Sequence, residues 1–141
     1  MRYLSLVESF YNYVDSVGIS REQIYEERGE EFTLVSFGEE GEKDIIYNLA
    51  LIFYDDDIVE VYVRKELKDF DEICLLRQIN ALNIKYCGVT FLIDEDMLTV
   101  KSHCITNGEI KVALREMVQN MQLAKSEFRK ISNVSIHNYM R

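Results

Sequence analysis

The 141-residue sequence predicts one α+β domain: a single antiparallel sheet of about five strands with helices packed on it, in the order α-β-β-β-α-β-β-α. Three observations carry that prediction. Apolar residues return at steps of three and four in three separate segments, which is the helical period. Between those segments lie short runs that alternate or are apolar throughout, as strands do. Two pairs of these runs are joined by acidic turns short enough to reverse the chain.

The first helix runs from Tyr3 to Val17, with Tyr3, Leu6, Phe10, Tyr13 and Val17 on one stripe and Val7, Tyr11 and Val14 on a second; Gly18 closes it. Two stripes make more than half the circumference apolar, and one packing surface does not need that much. Ser20 with Gln23 spells a capping box for a short helix reaching Glu27, while Ile24, Tyr25 and the acids after them equally spell the start of a strand, so both stay open. Phe32 to Phe37 alternates as a strand and GEEGEK follows as an exposed loop. Ile45 to Tyr54 is apolar on both alternating faces except at Asn48, which predicts a central strand covered on both sides. After Asp55, Asp56 and Asp57, Ile58 to Val63 places Val59, Val61 and Val63 on one face and Glu60 and Arg64 on the other.

Asp69 with Glu72 predicts the cap of a second helix, whose core stripe is Leu75, Leu76, Ile79, Leu82 and Tyr86, ended by Gly88. Val89–Ile93 and Leu98–Ile105 form a hairpin around Asp94-Glu95-Asp96. Its register must set Ile93 against Leu98, because a slip by one residue would put Phe91 opposite Thr99 and Val89 opposite Lys101. Carried on without a bulge, that register sets Cys87 opposite Cys104. Thr106 and Glu109 are expected to open the last helix, and Ile110, Leu114, Met117, Met121, Ala124, Phe128 and Ile131 form its stripe. Residues 132–141 read as a frayed tail, and residues 1–141 as a single domain.

Acids outnumber bases 25 to 16, a formal net charge of -9, so the chain's field repels phosphate backbones and anionic lipid surfaces; nucleic acid and membrane are not expected partners. The densest basic stretch, Lys125 to Lys130, alternates in sign and reads as a solvated helix face. No window reaches the ~20 apolar residues of a membrane span, and the N-terminus lacks the features of a secretory signal, so the expected location is the cytoplasm. Three cysteines without a C-x-x-C spacing are expected as reduced thiols.

The stretch LLRQINALNIKYCGVTFLIDEDMLTVKS, Leu75 to Ser102, with Asn80 and Asn83 in an N-x-x-N helix running into a strand, an acidic turn and another strand, resembles the YbjN-type family, described as bacterial sensory transduction regulators. YDDDIVEVYV matches that family's earlier hairpin in the same way. The resemblance covers nearly the whole chain. It implies a fold like that of the type III secretion chaperones and carries no catalytic residues over.

Each candidate site has a structural reading beside the functional one. Asp-x-Asp after an apolar run is also the spelling of the metal-binding motif in sugar-nucleotide transferases. The parallel βαβ units that those enzymes need are absent, however, and a calcium loop would require a glycine and a closing glutamate that do not follow Asp57, so a hairpin turn is expected. Asn83 among leucines is expected to satisfy a nearby backbone group. Cys87, His103 and Cys104 lack a fourth ligand and a common face for metal. His137 falls in the tail, and no glycine-rich phosphate loop, nucleophile elbow or H-E-x-x-H appears. Catalytic residues, metal sites and cofactors are therefore not expected.

What remains is a surplus of apolar surface on the first helix and the central strands, which marks an interface. The expectation is a non-enzymatic homodimer that binds an apolar or extended segment of another protein through Tyr3, Leu6, Phe10 and Tyr13, or by accepting a strand at a sheet edge. The alternative is a sensory domain holding a small apolar ligand in a closed pocket lined by Met117, Met121 and Phe128. A metal-dependent enzyme, the third class, would need carboxylates from separate elements converging in a cleft.

Overall fold

The computed structural model describes residues 2–41, 45–68 and 70–131, with the side chains of Arg2 and Tyr3 also outside the description. Asp69 and the expected tail at 132–141 therefore lie outside the described residues. The elements are α1 Arg2–Ser16, β1 Tyr25–Arg28, β2 Phe32–Glu40, β3 Ile46–Tyr54, β4 Ile58–Glu66, α2 Glu72–Lys85, β5 Thr90–Asp94, β6 Met97–Ile105 and α3 Ile110–Leu123, which continues through a wider turn at Ala124–Phe128. All strands join one open antiparallel sheet in the order β1-β2-β3-β4-β6-β5.

The α+β class and the single antiparallel sheet stand, but the sheet has six strands rather than five and the order is α-β-β-β-β-α-β-β-α. The extra strand comes from the segment that the sequence left open, and both of its readings are realised in turn. The Ser20 hydroxyl accepts from the Glu22 amide to cap a single tight turn at Arg21–Gln23, and Tyr25–Arg28 then pairs with β2.

One face of the sheet meets the helices. Val35, Leu51, Val61, Leu98 and Val100 lie there fully buried, under Leu6, Phe10 and Val14 of α1, Leu75 of α2 and Ala113, Ala124 and Phe128 of α3. Phe10, Phe53, Phe91 and Phe128 are the largest of the enclosed side chains, each contributing about 1.5–3 kcal/mol of burial. Phe10 packs on Phe37 and Phe53 with ring centroids 6.2 and 6.1 Å apart, which seats α1 over the β2–β3 pair. The predicted α3 stripe is in place, with Ile110 and Leu114 half-buried and the other five residues buried.

Several local expectations change. The cap of α2 is Asp71, whose carboxylate accepts from the Ile73 and Cys74 amides at 3.1 and 3.4 Å. Leu76 is exposed, because the face that meets the sheet is Leu75, Ile79 and Leu82. Thr106 does not cap α3; its amide and hydroxyl both donate to the Asp57 carbonyl, at 2.9 and 3.1 Å, tying the β3–β4 turn to the start of the helix. Glu109 occupies the cap position without a side-chain bond. The β5–β6 register is the expected one, Ile93 against Leu98 and Phe91 against Val100, but pairing stops at Thr90 with Lys101, so Cys87 lies beyond the ladder.

Candidate functional site

Two of the four residues expected to face a partner are enclosed within the protomer: Leu6 is 1% exposed and Phe10 is fully buried. Tyr13 is half-buried at the end of α1, and the Tyr3 side chain lies outside the described residues. The second stripe of α1 is covered as well. Val7 and Val14 are buried, and the Tyr11 hydroxyl donates to Glu26 at 2.9 Å on β1, the strand that the sequence did not reveal. Burial, with the Glu26 hydrogen bond adding to it, pushes the Tyr11 phenol up to about 12. Most of the apolar surface of α1 is thus enclosed, chiefly against β3 and α3, while Leu4 and Val17 stay exposed and β1 contributes the polar partner of Tyr11.

The surplus of the central strands is not taken up. β3 is covered on one side only: Tyr47, Leu49, Leu51 and Phe53 face the helices, while Ile46, Ile52 and Tyr54 face away. All three helices pack on the same side of the sheet, and no described element lies over the other side. Cross-strand register assembles that open face. One row runs through Leu34, Ile52, Glu60 and His103; the next crosses all the strands as Tyr25, Ser36, Ala50, Tyr62, Lys101 and Thr90. Ile58 stands opposite Ile105 beyond them. Tyr25, Ile46 and Ile105 are the most exposed apolar side chains of this face, at 60%, 63% and 62%.

Glu60 is the organising group of the open face. Its two carboxylate oxygens accept from two phenols, Tyr54 on the neighbouring strand and Tyr62 two residues along, the latter at 3.0 Å. The Tyr54 hydroxyl is pushed up to about 12, first by its bond to Glu60 and then by burial. Tyr62 also reaches about 12, first by burial and then by Glu60. The phenols and the carboxylate satisfy one another, so the two rings lie along the face with their polar ends occupied. This leaves aromatic and aliphatic carbon on a face that also carries Ser36, Asn48, Arg64, Lys101 and His103.

The sheet edges differ in availability. At β5 the Asn83 side chain of α2 accepts from the Phe91 amide at 2.7 Å and donates to the Phe91 carbonyl at 2.9 Å, filling the outward backbone pair of Phe91 in that strand. Asn83 therefore does the backbone-satisfying work expected of it. At the opposite edge β1 has four residues, Tyr-Glu-Glu-Arg, a short charged strand of the kind that discourages addition.

Asp55 and Asp56 form the β3–β4 turn, the Asp56 carboxylate accepts from the Ile58 amide at 3.3 Å, and Asp57 takes φ 65°, so the aspartates serve the reversal of the chain. Glu95, at φ 56°, takes the same left-handed backbone at the first position of the two-residue turn of the second hairpin. Among the described residues, no three His, Cys, Asp or Glu side chains gather in an arrangement that could hold a metal ion. Cys87 and Cys104 are thiols, and burial together with nearby Glu116 pushes Cys104 up to about 11.

Two polar groups that the sequence reading missed are buried under α3. Asn120 donates to the Val61 carbonyl at 3.3 Å and to Ser102 Oγ at 2.9 Å, and Ser102 donates on to Glu116 at 2.8 Å. Glu127, 6% exposed, accepts from the Tyr86 hydroxyl at 2.8 Å, with the ammonium groups of Lys85 and Lys130 at 3.4 and 3.5 Å. The signal available was the heptad step of Ala113, Asn120 and Glu127, a line adjoining the apolar stripe.

Of the expected ligand pocket, Met117 and Met121 line an open cleft of about 270 Å³ between α1, α3 and the sheet, whereas Phe128 is fully buried in the core and does not reach it. Comparison with protein-family models, curated proteins and solved structures gives no match for this chain.

Proposed function

We propose that the protein is a non-enzymatic, cytoplasmic interaction module of the chaperone-like kind that the YbjN resemblance implies: a homodimer that holds an apolar or extended segment of another protein. The observation that carries this reading is the uncovered face of the sheet, where Leu34, Ile52, Tyr54, Ile58 and Tyr62 sit half-buried beside the exposed Tyr25, Ile46 and Ile105. A solvated antiparallel face normally alternates to polar side chains, and this one does so only in part.

Four strands of nine residues at ~3.3 Å, flanked by the shorter β1 and β5 at spacings of ~4.8 Å, give a sheet face on the order of 550 Å², somewhat below the ~800 Å² that each partner contributes to a standard interface. The contact is made by this face rather than by Leu6 and Phe10, which the core already holds, and rather than by an edge, since Asn83 occupies one and β1 is short and charged. A separate exposed stripe, Ile73, Leu76 and Ile84 on the outer side of α2, lies on the helix-covered side and is not part of this face. No described helix is long and apolar enough to cross a membrane, and the net charge of -9 favours basic clients.

The test is light scattering from a reduced, basic model protein diluted from denaturant. Equimolar wild type is expected to delay aggregation at least several-fold, and the double variant Ile46→Asp/Ile105→Asp to lose that effect while keeping its native circular dichroism. Equal protection by the folded double variant, or none by wild type, would overturn the reading.

A further inference from the structure

The helix-covered side of the molecule carries a second feature, independent of the open face. α1 packs on β3, with Phe10 seated between Phe37 and Phe53, whereas α3 packs on β4 and β6, where Asn120 bonds the Val61 carbonyl. The two helices therefore part over the β2–β3 side of the sheet, and the gap between them is the open cleft of about 270 Å³. Gly18, at φ 80°, turns the chain at the end of α1, and the Ile19 amide bonds back to the Val14 carbonyl at 3.1 Å, which brings Ile19 into the cleft wall. The volume falls just below the roughly 300–1,000 Å³ of small-molecule sites, so it suits a compact ring system rather than a long chain.

Four of the lining side chains favour a π-system over a saturated ring of the same size. Tyr13 and Phe37, both half-buried, offer rings that gain edge or offset contacts. Met117 and Met121 offer thioethers, four residues or about 6 Å apart on one face of α3. A thioether sulfur is attracted to an aromatic ring at a distance of about 5 Å, so both sulfurs can address one flat ligand lying along the helix. At the mouth Glu39 and Lys125 pair with one another at 3.6 Å, and the exposed Gln122 amide can meet a single hydroxyl.

We infer that the cleft binds a neutral aromatic molecule of one or two fused rings, its face against Met117 and Met121 and its edge toward Phe37. The attraction is that of carbon and sulfur for a π-face and draws on no charge of the molecule.

NMR of isotope-labelled methionine methyls tests this, with naphthol as the probe and its fully saturated analogue decalol as the comparator. The described methionines report separately, Met117 and Met121 on the cleft and Met97 on the open face. The expected result is saturable binding of one naphthol per chain, with ring-current shifts at Met117 and Met121, none at Met97, and affinity at least 10-fold tighter than for decalol. Met117→Leu/Met121→Leu keeps the volume and removes the sulfurs; calorimetry is expected to show the naphthol preference reduced at least 3-fold with decalol binding retained. Val118→Asp, at an exposed position on the rim, is expected to weaken both ligands at least 10-fold. The open-face variant Ile46→Asp/Ile105→Asp is expected to bind naphthol as wild type does. Any of five results would overturn the inference: no saturable binding of naphthol, equal affinity for decalol, shifts at Met97 as large as those in the cleft, a preference unchanged by the two leucines, or binding that Val118→Asp leaves intact. Loss of naphthol binding in the folded open-face variant would overturn it as well, by placing the ligand on the sheet.

Discussion

Glu60 shows what a single carboxylate does on an uncovered sheet face: it occupies the polar ends of two phenols and leaves their rings to present carbon. Because Tyr54 and Tyr62 keep their protons to about 12, above the ordinary ~10, the folded state holds those protons more tightly than the unfolded chain does. The associated stability is complete below pH ~10 and is lost as pH rises through the folded values. Alkaline titration of phenolate absorbance should therefore find Tyr54 and Tyr62 late, and Glu60→Gln should bring Tyr54 down further than Tyr62, since the Glu60 bond is the first cause only for Tyr54. Glu127 titrates in the opposite sense. Burial opposes its ionisation, but the Tyr86 hydrogen bond, Lys130 and Lys85 outweigh burial and hold the carboxyl below its usual range. Its contribution is complete above the unfolded value of ~4.3 and disappears as pH falls through the lower folded value. Urea unfolding of Glu127→Gln should show a deficit of about 1 kcal/mol at neutral pH, modest because both lysines are solvent-screened, and the deficit should close in acid. Asn83 was legible as a backbone partner because an amide on an apolar helix stripe must find one. Asn120 and Glu127 were not, because a buried polar residue reads in sequence as an ordinary solvated position.

Among the elements, the long periodic ones were legible and the short contextual ones were not. The stripe of α3 and the register of β5 with β6 follow from side-chain periodicity alone, which is why both stand. β1 has four residues and one pairing partner, so it is created by β2 rather than by its own pattern. In β3 the sequence shows apolar residues on both alternating faces, and only the placement of all three helices on one side decides which of them remain uncovered. Caps show the same division: an acid near a helix start is legible, but whether its carboxylate bends back onto the amides is decided by the loop, as Asp71 does and Glu109 does not. Two substitutions separate a working cap from an idle one. Asp71→Ala should cost about 1 kcal/mol, because the two bonds its carboxylate accepts from the Ile73 and Cys74 amides are lost. Glu109→Ser should instead stabilise by about 0.5–1 kcal/mol, since the present residue makes no cap bond; thermal unfolding of the two variants checks both signs.

For the whole molecule, the architecture gives two sides with different work. The helix-covered side encloses the core and bears the cleft lined by Met117 and Met121; the other side leaves a face of mixed aromatic, aliphatic and polar side chains on the order of 550 Å² in water. Covering that face with a second copy, which a client segment displaces, is the central claim, and the net charge of -9 limits indiscriminate association. Chromatography with light scattering at micromolar concentration tests it most directly, comparing wild type with the double variant Ile46→Asp/Ile105→Asp. The account predicts twice the 16.6 kDa chain mass for wild type and a single chain for the variant. A wild type that elutes as one chain, or a dimer that survives both aspartates, would contradict it.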